Sequence, residues 1–191
     1  GVAGAQQFIL EKVPAWLESY GEQTAFFCTN DAHTEPLLKR IANQGGYFIE
    51  ADLPSPTMGY PGALGVEITE EEKGDWPRIL KKVENRVLEL GGSGRMGTWA
   101  YSFGFSTTAA LTEHAKRVID GQAELLSRED LLEAYEKYTP GAGWNGSLYV
   151  DADDMERENF VLVYQDTYIF GKGYLGMTDI EVPAKYFEIN K

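Results

Sequence analysis

Residues 24–31 read TAFFCTND and continue as AHTEPLLKRIANQGGYFIEA, so one apolar stretch passes through two polar residues into a helical pattern and then into a second apolar stretch. Residues 25–29 have the composition of a buried strand, and residues 47–51 repeat it. Between them Pro36 is admissible only in the first turn of a helix, and Gly45-Gly46 ends that helix. Strand, helix, strand with short joints is the grammar of a mainly parallel sheet covered by helices, which makes the predicted class α/β. Where such a strand hands over to its helix, open sheets meet their ligands.

The flanking chain supports the same class. Ile9, Val13, Trp16, Leu17 and Tyr20 recur at helical spacing and end at Gly21, with Pro14 either kinking this helix or marking its true start. Residues 52–65, DLPSPTMGYPGALG, hold three prolines and three glycines and form a shaped loop. A helix then starts at the cap Asp75, with Trp76, Ile79, Leu80, Val83, Val87 and Leu90 on one face. The turn GGSGRMG, residues 91–97, leads to the run TWAYSFGF, in which Trp99, Tyr101, Phe103 and Phe105 alternate as in a strand with one aromatic face. Thr107 and Ser127 are caps for two further helices, with Asp130 completing a capping box at the second. Strands are predicted near 147–150, 160–164 and 179–182.

Charge and motifs exclude several functions. Thirty acidic against seventeen basic side chains, a net charge of −13, oppose binding to a phosphate backbone. The single Cys28 rules out an internal disulfide and reads as a small buried thiol. Residues 92–97, GSGRMG, match the letters of a dinucleotide fingerprint, but the helix precedes and the strand follows, the reverse of what that site needs. Arg95 within it is either a solvated side chain or a clamp for a carboxylate or phosphate. Asp151, Asp153 and Asp154 resemble a calcium loop that lacks its turn glycine and has Met155 at the fifth position. His33 and His114, the two histidines, are far apart in sequence, so no metal and no cofactor is predicted. Acyl and phosphoryl transfer have no motif. No apolar run is long enough to span a bilayer.

Asn30 and Asp31 cap the following helix, hydrogen-bond a polar ligand, or do both. The aromatic run packs the core, stacks on a flat or sugar-like ligand, or does both.

The order helix, apolar strand, Asn-Asp, helix ending in Gly, strand resembles the carboxyl-terminal lobe of type I periplasmic binding proteins, the ribose-binding and LacI-like superfamily. TNDAHTEPLLKRI, the PSPTMGYPGALG loop and GRMGTWAYSFG resemble, more narrowly, an uncharacterised bacterial family of this fold whose members are often given as candidate lipoproteins. The resemblance covers roughly residues 5–185 and implies one α/β lobe, residues 1–191, with segments belonging to a second lobe whose remainder is absent. It implies a non-enzymatic solute-binding protein for uptake or sensing, extracytoplasmic and membrane-tethered as a lipoprotein, whose partners are a small polar molecule and a missing lobe or a second copy. On this reading Asn30 and Asp31 bind the ligand, Ser55 and Tyr60 shape the pocket, and Arg95, Trp99 and Tyr101 supply charge and stacking. The alternatives are a cytoplasmic effector-sensing domain of a transcriptional regulator and a small hydrolase using Asp31 with His33.

Overall fold

The computed structural model describes residues 1–176. Helix α1 (Val2–Tyr20) packs on α2 (Asp31–Gln44) through Ile9, Val13 and Leu17, and it runs unbroken through Pro14. Proline has no amide to give the Leu10 carbonyl, and Arg40 Nε donates to that oxygen instead at 2.9 Å. Strand β1 (Ala25–Cys28) pairs parallel with β2 (Tyr47–Ala51), from Ala25 opposite Tyr47 to Cys28 opposite Ala51, with α2 as the crossover. Within the Pro/Gly loop lies the short α3 (Tyr60–Leu64), and α4 (Trp76–Glu89) follows, its cap Asp75 accepting from Arg78 N at 3.2 Å. Helix α4 buries Ile79, Val83 and Val87 in a core shared with α1, α2, β1 and β2.

Strand β3 (Gly97–Trp99) then lies beside β2, held by a parallel bridge between Phe48 and Met96 and by Phe48 N donating to Arg95 O at 2.9 Å. Helices α5 (Phe103–Ile119) and α6 (Arg128–Tyr138) pack together, and the ribbon β4 (Trp144–Val150) with β5 (Glu156–Gln165) follows. A second cluster forms there from Trp99, Ala110, Ala134, Tyr135 and Trp144. Strand β6 (Thr167–Ile169) returns antiparallel to β3, and β7 (Gly173–Tyr174) pairs antiparallel to β6. Through the Phe48–Met96 bridge the central strands lie in the order β1-β2-β3-β6-β7.

The class is mixed α/β, and four expectations need correction. The sheet is not mainly parallel: β1/β2 is parallel, whereas β3/β6, β6/β7 and β4/β5 are antiparallel. The aromatic alternation of 98–105 is not one strand. It stops at Trp99, and from Phe103 the chain is a helix in which Phe103 meets Trp99 at 6.0 Å and Phe105 meets Trp76 at 5.6 Å, so packing overrides the strand preference of aromatic residues. Thr107 consequently lies inside α5 rather than capping it. At Ser127 the cap is present, accepting from Asp130 N at 3.1 Å, but Asp130 turns to Glu124 N at 2.8 Å instead of closing the box. The strands expected near 147–150 and 160–164 are β4 and β5, and the one near 179–182 lies outside the described residues.

Candidate functional site

The carboxyl ends of β1 and β2 build one polar edge. The chain leaves β1 at Cys28 and enters α2 through Asn30, whose extended backbone and side-chain oxygen, accepting from Ala32 N at 3.0 Å, satisfy an otherwise unpaired amide. Asn30 is exposed, so its capping leaves the rest of the amide accessible. At the same edge Asp52 follows β2, with its amide donating to Cys28 O at 2.9 Å. The loop continues to Pro54, whose carbonyl accepts from Phe103 N at 3.0 Å, so the start of α5 lies against the loop that leaves β2. Because β6 is antiparallel to β3, its first residue, Thr167, comes to this edge opposite Trp99 and donates to Glu50 Oε2 at 3.2 Å.

Asp31 and Asp52 therefore come together at this edge, with Glu50 near the end of β2, and none of the three has a basic side-chain partner among the described residues. Asp31 is pushed above the usual carboxylate range by partial burial and by Asp52, with which it shares a hydrogen bond and a like charge. Burial pushes Glu50 up to about 8, against the pull of Thr167 and of the Ala51 amide, so Glu50 is protonated at neutral pH. Asp31 Oδ1 and Glu50 Oε1 are buried without a hydrogen-bond partner among the described residues. Burial also pushes the Cys28 thiol up to about 11, which leaves it a neutral packing group and not a nucleophile. No hydrogen bond joins the His33 ring to Asp31 among the described residues, and none of their His, Cys, Asp and Glu side chains form a group of three or more able to hold a metal ion.

The structure gathers Asn30, Asp31 and Ser55 on the loops of this edge and sends the other expected site residues elsewhere. Ser55 is buried, accepts from Thr57 N at 3.1 Å and shares a 2.8 Å hydrogen bond with the Thr57 hydroxyl, so it shapes the loop from inside. Tyr60 is fully enclosed: its ring stands edge-on to Phe48 and Phe170, and its hydroxyl donates to Gly97 O at 2.7 Å. Trp99 packs on Trp144 at 5.5 Å, and Tyr101 donates to Pro140 O at 2.9 Å, so both are core residues and their faces are not free for stacking. Arg95 sits at the amino end of β2, donating to Gly46 O at 2.7 Å and, over 3.4 Å, to Ile41 O and Gly91 O. A five-residue strand separates it from the polar edge, on the order of 13 Å of chain. Glu50, Asp52 and Thr167 are the residues that sequence reasoning missed. Asp52 carried a readable sign, since it follows β2 as Asn30 and Asp31 follow β1.

Fold and edge together define an α/β module whose polar edge is built on the loops that leave its parallel strands. A family model described as "Protein of unknown function (DUF3798)" matches residues 1–97, and the chain belongs to that family. A second family model matches residues 108–189. Two proteins of Treponema pallidum (strain Nichols), each named "Uncharacterized protein", are 36% identical to the chain over 83 and 84 residues, covering 44% and 43% of it and 36% and 94% of their own lengths. The crystal structure of a candidate transcriptional regulator from Clostridium difficile 630 matches with a TM-score of 0.71 at 21% identity, over 86% of this chain and 46% of that one. At that identity the likeness is one of fold. The chain spans little more than a third of the first relative and under half of the solved structure.

Proposed function

We propose that the chain is a non-enzymatic ligand-binding module that holds a small polar molecule at the carboxyl edge of β1 and β2. The observation that carries this reading is that two buried carboxyl oxygens, Asp31 Oδ1 and Glu50 Oε1, lack hydrogen-bond partners among the described residues at the edge where open α/β sheets meet ligands. An unpaired buried polar group costs about 1–3 kcal/mol, and a ligand that hydrogen-bonds to it recovers that cost. With Glu50 protonated and Asp31 and Asp52 side by side, the edge offers both an O–H donor and carboxyl acceptors and has no cation among its described side chains, so it suits a molecule presenting hydroxyl groups, which donate and accept. Arg95 takes no part, being engaged with backbone carbonyls at the other end. The resemblance to periplasmic binding proteins supports an extracytoplasmic receptor. The fold shared with a candidate transcriptional regulator supports an effector-sensing domain built on the same edge.

Isothermal titration with sugars, nucleosides, amino acids and amines tests the reading. Saturable heat that disappears in Asp31→Asn and persists in Arg95→Met is the expected result. Absence of heat for every class in the full gene product would overturn it. The sequence upstream of Gly1 decides between receptor and sensor: a leader ending before a cysteine marks a lipoprotein, and a helix-turn-helix marks a regulator.

A further inference from the structure

Strand β5 is ten residues long and, among the described residues, pairs along one edge only, with β4. The phase of that ladder follows from its end. Asp166 N donates to Gly143 O at 2.8 Å, so in the constant register that follows, Asn145–Tyr164 and Ser147–Leu162 are the pairs that exchange backbone hydrogen bonds. The amides and carbonyls of Val161 and Val163 therefore point away from β4.

They point to a groove. Residues 158–163 line it as an unbroken run, although successive side chains leave a strand on opposite faces, so the wall they form is the edge of the strand itself. The facing wall is mostly apolar, with Phe103 and Leu111 from α5, Leu131 from α6, and Leu125 and Leu126 from the connection between them, and Arg128 at the start of α6 also lines it. The space between the walls is about 620 Å³. On the far face of the ribbon Phe160, Leu162 and Tyr164 are 55%, 48% and 47% exposed. A two-stranded ribbon is marginal by itself, and a long free edge beside apolar side chains invites another strand. Recognition by strand addition combines these two elements, backbone hydrogen bonds along an edge and pockets for alternate side chains.

We propose that this groove seats an extended segment of the polypeptide that similar proteins carry beyond the region aligned with this chain, adding a strand to the free edge of β5 and turning alternate apolar side chains towards α5 and α6. The alignment with the solved structure takes in 86% of this chain and only 46% of that one, so a protein of this fold has ample further chain to supply that strand. A second copy is the poorer occupant, because two chains of net charge −13 repel each other.

Backbone hydrogen exchange in the 191-residue chain and in the full gene product tests this. Val161 and Val163 are read against Leu162 and Tyr164, whose amides β4 holds in both forms. In the 191-residue chain Val161 and Val163 should exchange fast, and in the full product their protection relative to those neighbours should rise about 100-fold or more. Equal relative rates in the two forms, protection already present in the 191-residue chain, or a gene encoding no further residues would each overturn the proposal. Leu125→Asp gives a second readout. Leu125 is 67% exposed here, so the substitution should leave the melting temperature of the 191-residue chain unchanged and lower that of the full product. An equal effect on both forms, or none on either, would count against a seated strand.

Discussion

Glu50→Gln should abolish the fall in stability that Glu50 causes between about pH 4.5 and pH 8. Glu50 ends β2 with one carboxyl oxygen bonded to the Thr167 hydroxyl at 3.2 Å and the other buried without a partner, and burial carries its pKa from 4.5 to about 8. The groups around it do not offset this: Thr167 is neutral, Tyr60 has its own hydroxyl pushed well up by burial, and Cys28 stays a thiol. Below pH 4.5 both folded and unfolded chains hold the proton, and the stabilisation is complete. Between 4.5 and 8 the unfolded chain releases it and the folded chain keeps it, so each pH unit costs about 1.4 kcal/mol. Over that window the loss sums to about 4–5 kcal/mol, a large part of the roughly 5–15 kcal/mol that holds a domain together. Gln cannot ionise and retains an acceptor for Thr167. Urea unfolding from pH 4 to 9 on both proteins isolates the effect, since Asp31 and every other titrating group contribute to both curves. The difference between the curves should grow through the window and flatten above pH 8. Parallel curves would show that Glu50 is solvated in the folded chain and would remove it from the buried polar edge.

Arg95→Met should cost about 1.5–3 kcal/mol, the worth of one hydrogen bond from a charged donor, because the 2.7 Å contact to Gly46 O is short and the two at 3.4 Å are weak. That corresponds to about 3–12 °C of melting temperature by calorimetry, with ligand affinity unchanged. Tyr60→Phe keeps the ring between Phe48 and Phe170 but strands Gly97 O, so a loss of about 1–3 kcal/mol in denaturant unfolding is expected with the native circular dichroism retained. Glu72 is held down to about 2 by Lys82, the Thr69 amide and Arg78, so its contribution is present above pH 4.5 and lost as pH falls through 2. Glu72→Gln should flatten the acid limb of stability, and a variant whose acid limb matches the parent would refute that ion-pair role.

Much of the fold was legible because independent local cues agreed. Asp75, Ser127 and the glycines at 21 and 45 each sit where cap chemistry puts them, and the apolar face Ile79, Val83 and Val87 is the buried face of α4. Failure came where one local pattern fitted two structures. Trp99, Tyr101, Phe103 and Phe105 alternate as a strand would, yet the chain turns after Trp99 into a helix that starts at Phe103, and contacts with Trp76 and Trp144 from distant chain decide between the two. Parallel or antiparallel pairing of β3, β5 and β6 depends on the same long-range contacts, which no short window contains.

The candidate site divides along a different line, set by which joint of the chain a residue occupies. In a parallel strand–helix–strand unit the joint leaving a strand lies at the carboxyl edge, and the joint leaving a helix lies at the amino edge. Asn30 and Asp31 leave β1 and Asp52 leaves β2, and all three reach the polar edge. Arg95 lies between α4 and β3, a helix-leaving joint, and its guanidinium is found among the carbonyls that end α2 and precede β2. The order of helix before and strand after that rejects GSGRMG as a dinucleotide fingerprint thus also excludes Arg95 from a site shared with Asp31. Joint type was readable from residues 76–99 alone. Burial was not: Tyr60 stands on the same loop as Ser55, and only the enclosure of its ring by Phe48 and Phe170, far apart in the chain, makes it part of the core. An aspartate that leaves a parallel strand is therefore better placed to meet a ligand than any aromatic residue chosen for its chemistry, because its position follows from chain direction and needs no knowledge of packing.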